Sequence, residues 1–174
     1  PRDLEVYLAA AAQPADRFIV QERLVGREFT TSVVTTLDGR CLAVVPKEAA
    51  FKRGITQVGI TRSVPAIEQL GRQIQEKMRA DGPFNVQLVL CADGVPRVFE
   101  INPRYSTTVA LTLAAGIDEV DVVIRAALGE DVGPLAFEPD LMMLRYSAQV
   151  YVKEAEWHPI DTTKGDPVTT GEPT

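Results

Sequence analysis

Residues 85–104 read NVQLVLCADGVPRVFEINPR, and the pairing within this stretch decides the fold. Two apolar runs, Asn85 to Leu90 and Arg97 to Ile101, flank Cys91-Ala92-Asp93-Gly94-Val95-Pro96, a segment of turn-forming residues. That pattern predicts an antiparallel hairpin. Side chains alternate faces along a strand, so Val98, Glu100 and Asn102 are expected on one face, with Phe99 and Ile101 on the other. If Phe99 and Ile101 face the core, Glu100 and Asn102 stand side by side on the opposite surface. Across the turn Asn85, Gln87 and Val89 share a face, and pairing in register would bring Gln87 beside Glu100.

Upstream, the strongly β-branched run Glu28 to Thr36 turns at Leu37-Asp38-Gly39 into Cys41 to Val45, a second hairpin that Pro46 is expected to stop. Phe18 to Glu22 reads as a short strand closed by Gly26, and Leu4 to Ala12 as a helix ended by Pro14. Residues 47 to 63 hold basic residues and glycines with little periodicity, which suits a loop or a pair of short irregular strands. Ile67, Leu70, Ile74 and Met78 recur at helical spacing from Pro65 to about Ala80. Two helices are expected after residue 106, about Thr107 to Ala115 and from an Asp118 cap to Gly129, then a last strand from Met142 to Val152. The order strand, hairpin, helix, hairpin, helices predicts an α+β fold, an antiparallel sheet with helices packed on one face. Residues 1–156 would form one domain, and residues 157–174 an extended or poorly ordered acidic tail.

Composition narrows the function. With 45% apolar and 24% charged residues the 174-residue chain is that of an ordinary globular domain. It has no apolar run of the ~20 residues a membrane helix needs, and the charged stretch Pro1 to Glu5 is not expected to open a signal peptide. The net charge of −6 comes entirely from the last 45 residues, since residues 1 to 129 balance at 15 acids and 15 bases. An acidic balance argues against nucleic acid or anionic membrane as the main partner. Cys41 and Cys91 are read as reduced thiols of a cytoplasmic protein. The sole histidine, His158, lies in the tail, which excludes a Ser-His-Asp triad and a histidine-rich metal centre. A Walker-type loop ending in Lys-Ser/Thr is also missing. The chain does not begin with Met, as expected of an excerpt from a longer one.

The hairpin carries the one concentration of chemistry. Gln87, Glu100 and Asn102, with Asn85 close by, would make an oxygen-rich patch of one carboxylate and side-chain amides. Such donors suit magnesium, and a single carboxylate suits a metal–nucleotide complex better than the bare ion, because phosphates supply the missing charge. Arg104, across Pro103, could reach a phosphoryl or carboxylate group bidentately. The competing reading is the plain wet face of a hairpin.

The run Val98 to Arg104 resembles the metal-binding signature of ATP-grasp ligases, especially the large chain of carbamoyl-phosphate synthetase and its smaller relatives. Phe18 to Glu28 is similar to that family's adenine and ribose hinge, Gly82 to Gln87 to its first metal-binding strand, and Tyr105-Ser106-Thr107-Thr108 to the small-residue turn that follows. The resemblance covers about residues 15 to 130. It implies a carboxylate–amine or carboxylate–ammonia ligase that uses ATP and Mg2+ (or Mn2+) through an acyl-phosphate. Glu22 would sit at the adenine hinge and Glu28 would accept from ribose hydroxyls. Gln87 and Asn102 would each hold one magnesium, Glu100 would bridge two, and Arg104 would stabilise the transferred phosphoryl oxygens. The basic loop would cover a triphosphate, with Lys47 first because it directly follows a strand, and Lys52, Arg53 and Arg62 weaker; a solvated loop is the alternative. No phosphate-binding lysine or flexible glycine-rich loop stands before Glu22, so the chain is expected to be the carboxyl-terminal portion of an ATP-grasp domain. Its expected partners are then small-molecule carboxylate and amine or ammonia substrates and the remaining ATP-grasp subdomain, with a homodimer left open. The runner-up is a non-catalytic nucleotide-binding or regulatory module.

Overall fold

The computed structural model of the chain describes residues 2–11 and 14–154. A six-stranded antiparallel sheet forms its centre, in the order β5-β4-β1-β2-β3-β6. The strands are β1 (Gly26–Thr35), β2 (Cys41–Arg53), β3 (Ile55–Thr61), β4 (Phe84–Cys91), β5 (Pro96–Asn102) and β6 (Met142–Leu144). Helices α1 (Arg2–Ala10), α2 (Pro65–Met78), α3 (Val109–Ala114) and α4 (Glu119–Ala127) complete it. The expected antiparallel α+β class is what the structure shows. The expected tail, residues 157–174, lies outside the described residues.

Strand parity assigns the two faces of the sheet. Phe29 and Val33 of β1 align with Leu88 and Phe84 of β4, and Val33 aligns with Val44 of β2. These residues form one buried cluster with Val86 and with Ile67 of α2. The helix reaches this face because position 71 is glycine: a Cβ there would stand 2.6 Å from Cγ1 of Val44. Pro65 opens α2, and the side chain of Glu68 accepts from the backbone N–H of Val64 at 3.0 Å, which satisfies one of the free amides at the helix start. On the other face Val34, Ala43 and Val45 bury against Ile117, Val122 and Val132. There Leu111 of α3 lies over Gly59 of β3. The sheet is therefore covered on both faces, by α2 on one and by α3 with α4 on the other, where helices on a single face were expected.

Three local readings change. Pro46 does not stop β2, which runs on to Arg53. The carbonyl of Pro46 accepts from the N–H of Arg62, just beyond the end of β3. The N and C=O of one strand residue point to the same side, so the N–H that proline lacks falls where the β2–β3 ladder has ended. Residues 47 to 61 then form a long hairpin around Gly54 (φ +73°), with register shifts at Ala49/Phe51 and Phe51/Lys52. Those bulges erase the alternation by which the strands could have been read. Phe18 to Glu22 is not a strand; a 3-10 turn at Ala15–Arg17 precedes a segment outside the sheet, with Ile19 83% and Val20 71% exposed. β-propensity alone does not make a strand where no neighbour supplies hydrogen bonds.

Candidate functional site

The β4–β5 hairpin pairs as its sequence predicts at the positions that matter. Gln87 is directly opposite Glu100, and Asn85 opposite Asn102. On the other side of β4, Thr30 of β1 aligns with Gln87 and Ser32 with Asn85. A polar row therefore crosses three strands, and the Thr30 hydroxyl donates to Oδ1 of Asn85 at 2.7 Å. The alternation expected for β5 breaks at one point. Leu88 aligns with Val98 while Gln87 aligns with Glu100, so Phe99 is the extra residue of a bulge. Val98 is thereby matched to a residue of the α2 face and does not share a face with Glu100 and Asn102. The bulge falls on an edge strand, where disruption of pairing costs least. For the same reason Phe99 and Ile101 are each 38% exposed, not core residues.

Arg104 leaves the end of β5 and folds back on its own segment. Its guanidinium donates to the carbonyl of Tyr105 at 3.0 Å and to Oδ1 of Asn102 at 3.4 Å. Among the described residues it has no carboxylate partner, so its charge is free to meet an anion. Arg104, Gln87, Asn85, Thr30, Glu28 and Lys52 line one small polar pocket. Within it Lys52 Nζ and a carboxylate oxygen of Glu28 form an ion pair, each side chain about one-third exposed. Of the residues chosen from sequence, Glu28, Lys52, Gln87 and Arg104 thus share one pocket, with Glu100 and Asn102 joined to it by register. Thr30 and Thr107, also on the pocket wall, were missed. Parity with Glu28 could have found Thr30, and Thr107 lies in the small-residue turn noted from sequence, without a role assigned to it. Glu22 lies apart, exposed, in a surface hollow with Arg23, Asp93 and Arg97 at the turn end of the hairpin. At that turn, hydrogen bonds from the Arg97 guanidinium and the Val95 amide hold Asp93 down to about 2.

Lys47 stands corrected: it is not placed to cover phosphates. Its side chain is 0% exposed, and its ammonium donates to Ser32 Oγ at 2.6 Å, Thr112 Oγ1 at 2.7 Å and Ser106 Oγ at 3.3 Å. Glu119, 1% exposed, brings Oε1 to 3.9 Å. Burial lowers the lysine to about 8, partly opposed by the Glu119 carboxylate. The reason is geometric. Lys47 aligns with Thr30 on the polar face, but at the part of it that the Ser106 turn and α3 cover.

The donor set fits a magnesium–nucleotide complex and not a bare ion. Gln87, Glu100 and Asn102 offer side-chain oxygens, one carboxylate and two amides, while the buried Nδ2 of Asn102, without a hydrogen-bond partner, is a donor that calls for an acceptor and not a cation. Among the described residues no group of three or more His, Cys, Asp or Glu could hold a metal by itself. Hard oxygen donors with few carboxylates leave the remaining coordination to phosphate and water, as magnesium prefers.

A family model described as ATP-grasp in the biosynthetic pathway with Ter operon matches residues 15–149. Solved structures agree on the fold. The phosphoribosylaminoimidazole carboxylase ATPase subunit from Aquifex aeolicus superposes with a TM-score of 0.63 at 18% identity, over 85% of this chain and 53% of that one. N5-carboxyaminoimidazole synthase from Aspergillus clavatus, in complex with ADP and 5-aminoimidazole ribonucleotide, gives 0.52 at 23% identity, over 68% and 34%. A biotin carboxylase–β,γ-ATP complex from Campylobacter jejuni gives 0.52 at 14%, over 64% and 27%. The chain thus spans about half or less of the length of these structures.

Proposed function

We propose that this chain, which belongs to the ATP-grasp family of the biosynthetic pathway with Ter operon, supplies the magnesium–nucleotide wall of an ATP-dependent carboxylate–amine or carboxylate–ammonia ligase. The observation that carries this reading is the paired register Gln87–Glu100 and Asn85–Asn102 beside a pocket that Arg104 lines. Gln87, Glu100 and Asn102 would hold magnesium, which supplies charge neutralisation at the nucleotide phosphates. Glu28 is assigned to the ribose hydroxyls, exchanging its bond with Lys52 for them, and Glu22 to the adenine end.

The chemistry asks for no nucleophile from the protein. The acceptor carboxylate attacks the terminal phosphorus of ATP, ADP leaves, and the acyl-phosphate formed is opened by an amine or ammonia with release of phosphate. What these residues contribute is position and charge. Arg104 faces the oxygens on which negative charge accumulates, and its guanidinium is already oriented by the Tyr105 carbonyl and Asn102. A carbamoyl-phosphate-synthetase-like use of the same steps, with carboxyphosphate as the activated acceptor, is one member of this class.

Calorimetry with Mg-ATP on the full chain and on Glu100→Ala tests the reading. Heat from the parent protein that falls away in the variant is expected. Equal heats from both would overturn it.

A further inference from the structure

Between the sheet and the Arg104 segment lies a buried polar cluster that the proposed chemistry does not use. Lys47 is its centre, and it gathers five separate pieces of chain: Ser32 of β1, Lys47 itself on β2, Ser106 of the turn after Arg104, Thr112 of α3, and Glu119 at the start of α4. Lys47, Thr112 and Thr108 are 0% exposed, Glu119 1% and Ser106 5%. A buried ion pair is a poor way to gain stability, because desolvation of two charges offsets their attraction. Three hydroxyls around one ammonium therefore point to a task of orientation.

The hydrogen bonds show what is oriented. Ser106 Oγ receives Lys47 Nζ at 3.3 Å and the Thr108 N–H at 3.1 Å, and bonds the Thr108 hydroxyl at 2.8 Å. That fixes the turn immediately after Tyr105. The Tyr105 carbonyl in turn holds the Arg104 guanidinium, whose other end holds Asn102. A continuous path thus runs from a buried ammonium through Ser106 and Tyr105 to two residues of the ligand platform.

We infer that Lys47 is a positioning residue: with Glu119 as counter-ion, it clamps the Ser106 turn to the sheet and so sets Arg104 and Asn102 against Gln87 and Glu100. The inference rests on the proposed function only for what the platform binds; the clamp itself is a property of the turn.

The test uses the full chain and a paired variant, Lys47→Met/Glu119→Leu, which removes both charges at similar volume and leaves neither partner buried alone. Two quantities are read at unchanged melting temperature: amide hydrogen exchange across residues 104–108, and Mg-ADP affinity by calorimetry. Faster exchange in this turn is expected, with Mg-ADP binding weakened by about tenfold, the scale on which outer-shell partners act at metal sites. A merely structural role would alter melting and leave the affinity of folded molecules as it was. Parent-like exchange and affinity in the variant would overturn the clamp. If the parent protein binds no Mg-ADP while exchange still rises in the variant, the clamp stands and the proposed function falls. If the paired variant does not fold, Thr112→Val, which deletes one hydroxyl of the cage, serves the same two readouts with the same opposing outcomes.

Discussion

Gln87 and Glu100 face each other across the β4–β5 ladder, and the bulge at Phe99 begins on the side of that pair away from Asn102. The pairing of Asn85 with Asn102 is therefore undisturbed. The hairpin carries its polar pairs on a regular piece of ladder and confines irregularity to the stretch nearer the turn. A regular ladder keeps the side chains of these two pairs at a fixed spacing, as a preorganised binding site requires.

Glu100 supplies the sole carboxylate of this donor set. Glu100→Gln should weaken Mg-ADP by about tenfold or more, and the melting temperature should stay close to that of the parent, because the side chain is exposed on an edge strand. Titration calorimetry alongside a thermal melt separates the two. An unchanged dissociation constant would remove Glu100 from the site.

Position 71 tests the α2 face. Alanine favours a helix over glycine by about 1 kcal/mol, yet its Cβ would stand 2.6 Å from Val44 Cγ1 and 3.4 Å from Val33 Cγ2. Overpacking of this kind costs about 1–3 kcal/mol, so Gly71→Ala should lower the melting temperature. A variant that melts higher than the parent would show that the helix can withdraw from the sheet at no cost.

Lys47 gives a pH dependence with a definite sign. Its folded value, about 8, lies below the ordinary 10.5 because burial disfavours the ammonium. Between those values the unfolded chain holds a proton that the folded chain has released, so this group makes stability rise with pH from about 8 to 10.5. Below 8 its penalty is constant. Denaturant melts at pH 7, 8, 9 and 10 should therefore show the parent gaining on Lys47→Met/Glu119→Leu above pH 8. Parallel curves would contradict the buried charge.

Asp118 caps α4, accepting from the N–H groups of Val120 and Asp121 at 3.0 Å. Asp118→Ala should cost about 1 kcal/mol, measured by denaturant unfolding. Because Glu119 follows directly, looser anchoring of α4 should also speed amide exchange around Ser106. Loss of stability with no change at Ser106 would mean that the helix start holds Glu119 without its cap.

The two hairpins and α2 were legible because each is encoded locally. Apolar runs at 85–90 and 97–101, with Asp93-Gly94 between them, mark a hairpin whose bulge at Phe99 they do not show, and Leu70 and Ile74 at helical spacing mark one buried stripe. The 47–61 hairpin was legible only as one of two alternatives, a loop or a pair of short irregular strands, since bulges near Phe51 break the period on which such reading depends. Pro46 misled because its missing N–H matters only if a neighbouring strand asks for it, and β3 ends one residue too soon to ask.

Strand parity puts Glu100 and Asn102 on one face from the sequence, because the two-residue repeat of a strand is a property of the backbone, while the opposition of Gln87 and Asn85 to them is a matter of register. What covers each face depends on long-range packing. Lys47 and Gln87 are neighbours of the same Thr30. One is sealed beneath the Ser106 turn and the other opens on the pocket, because α3 and α4 return over the β2 side of the sheet and not over its β5 edge. Parity is local and the cover is long-range; for that reason a lysine that looked ready for phosphate is held in the interior, and the platform it was expected to serve is one it can only position.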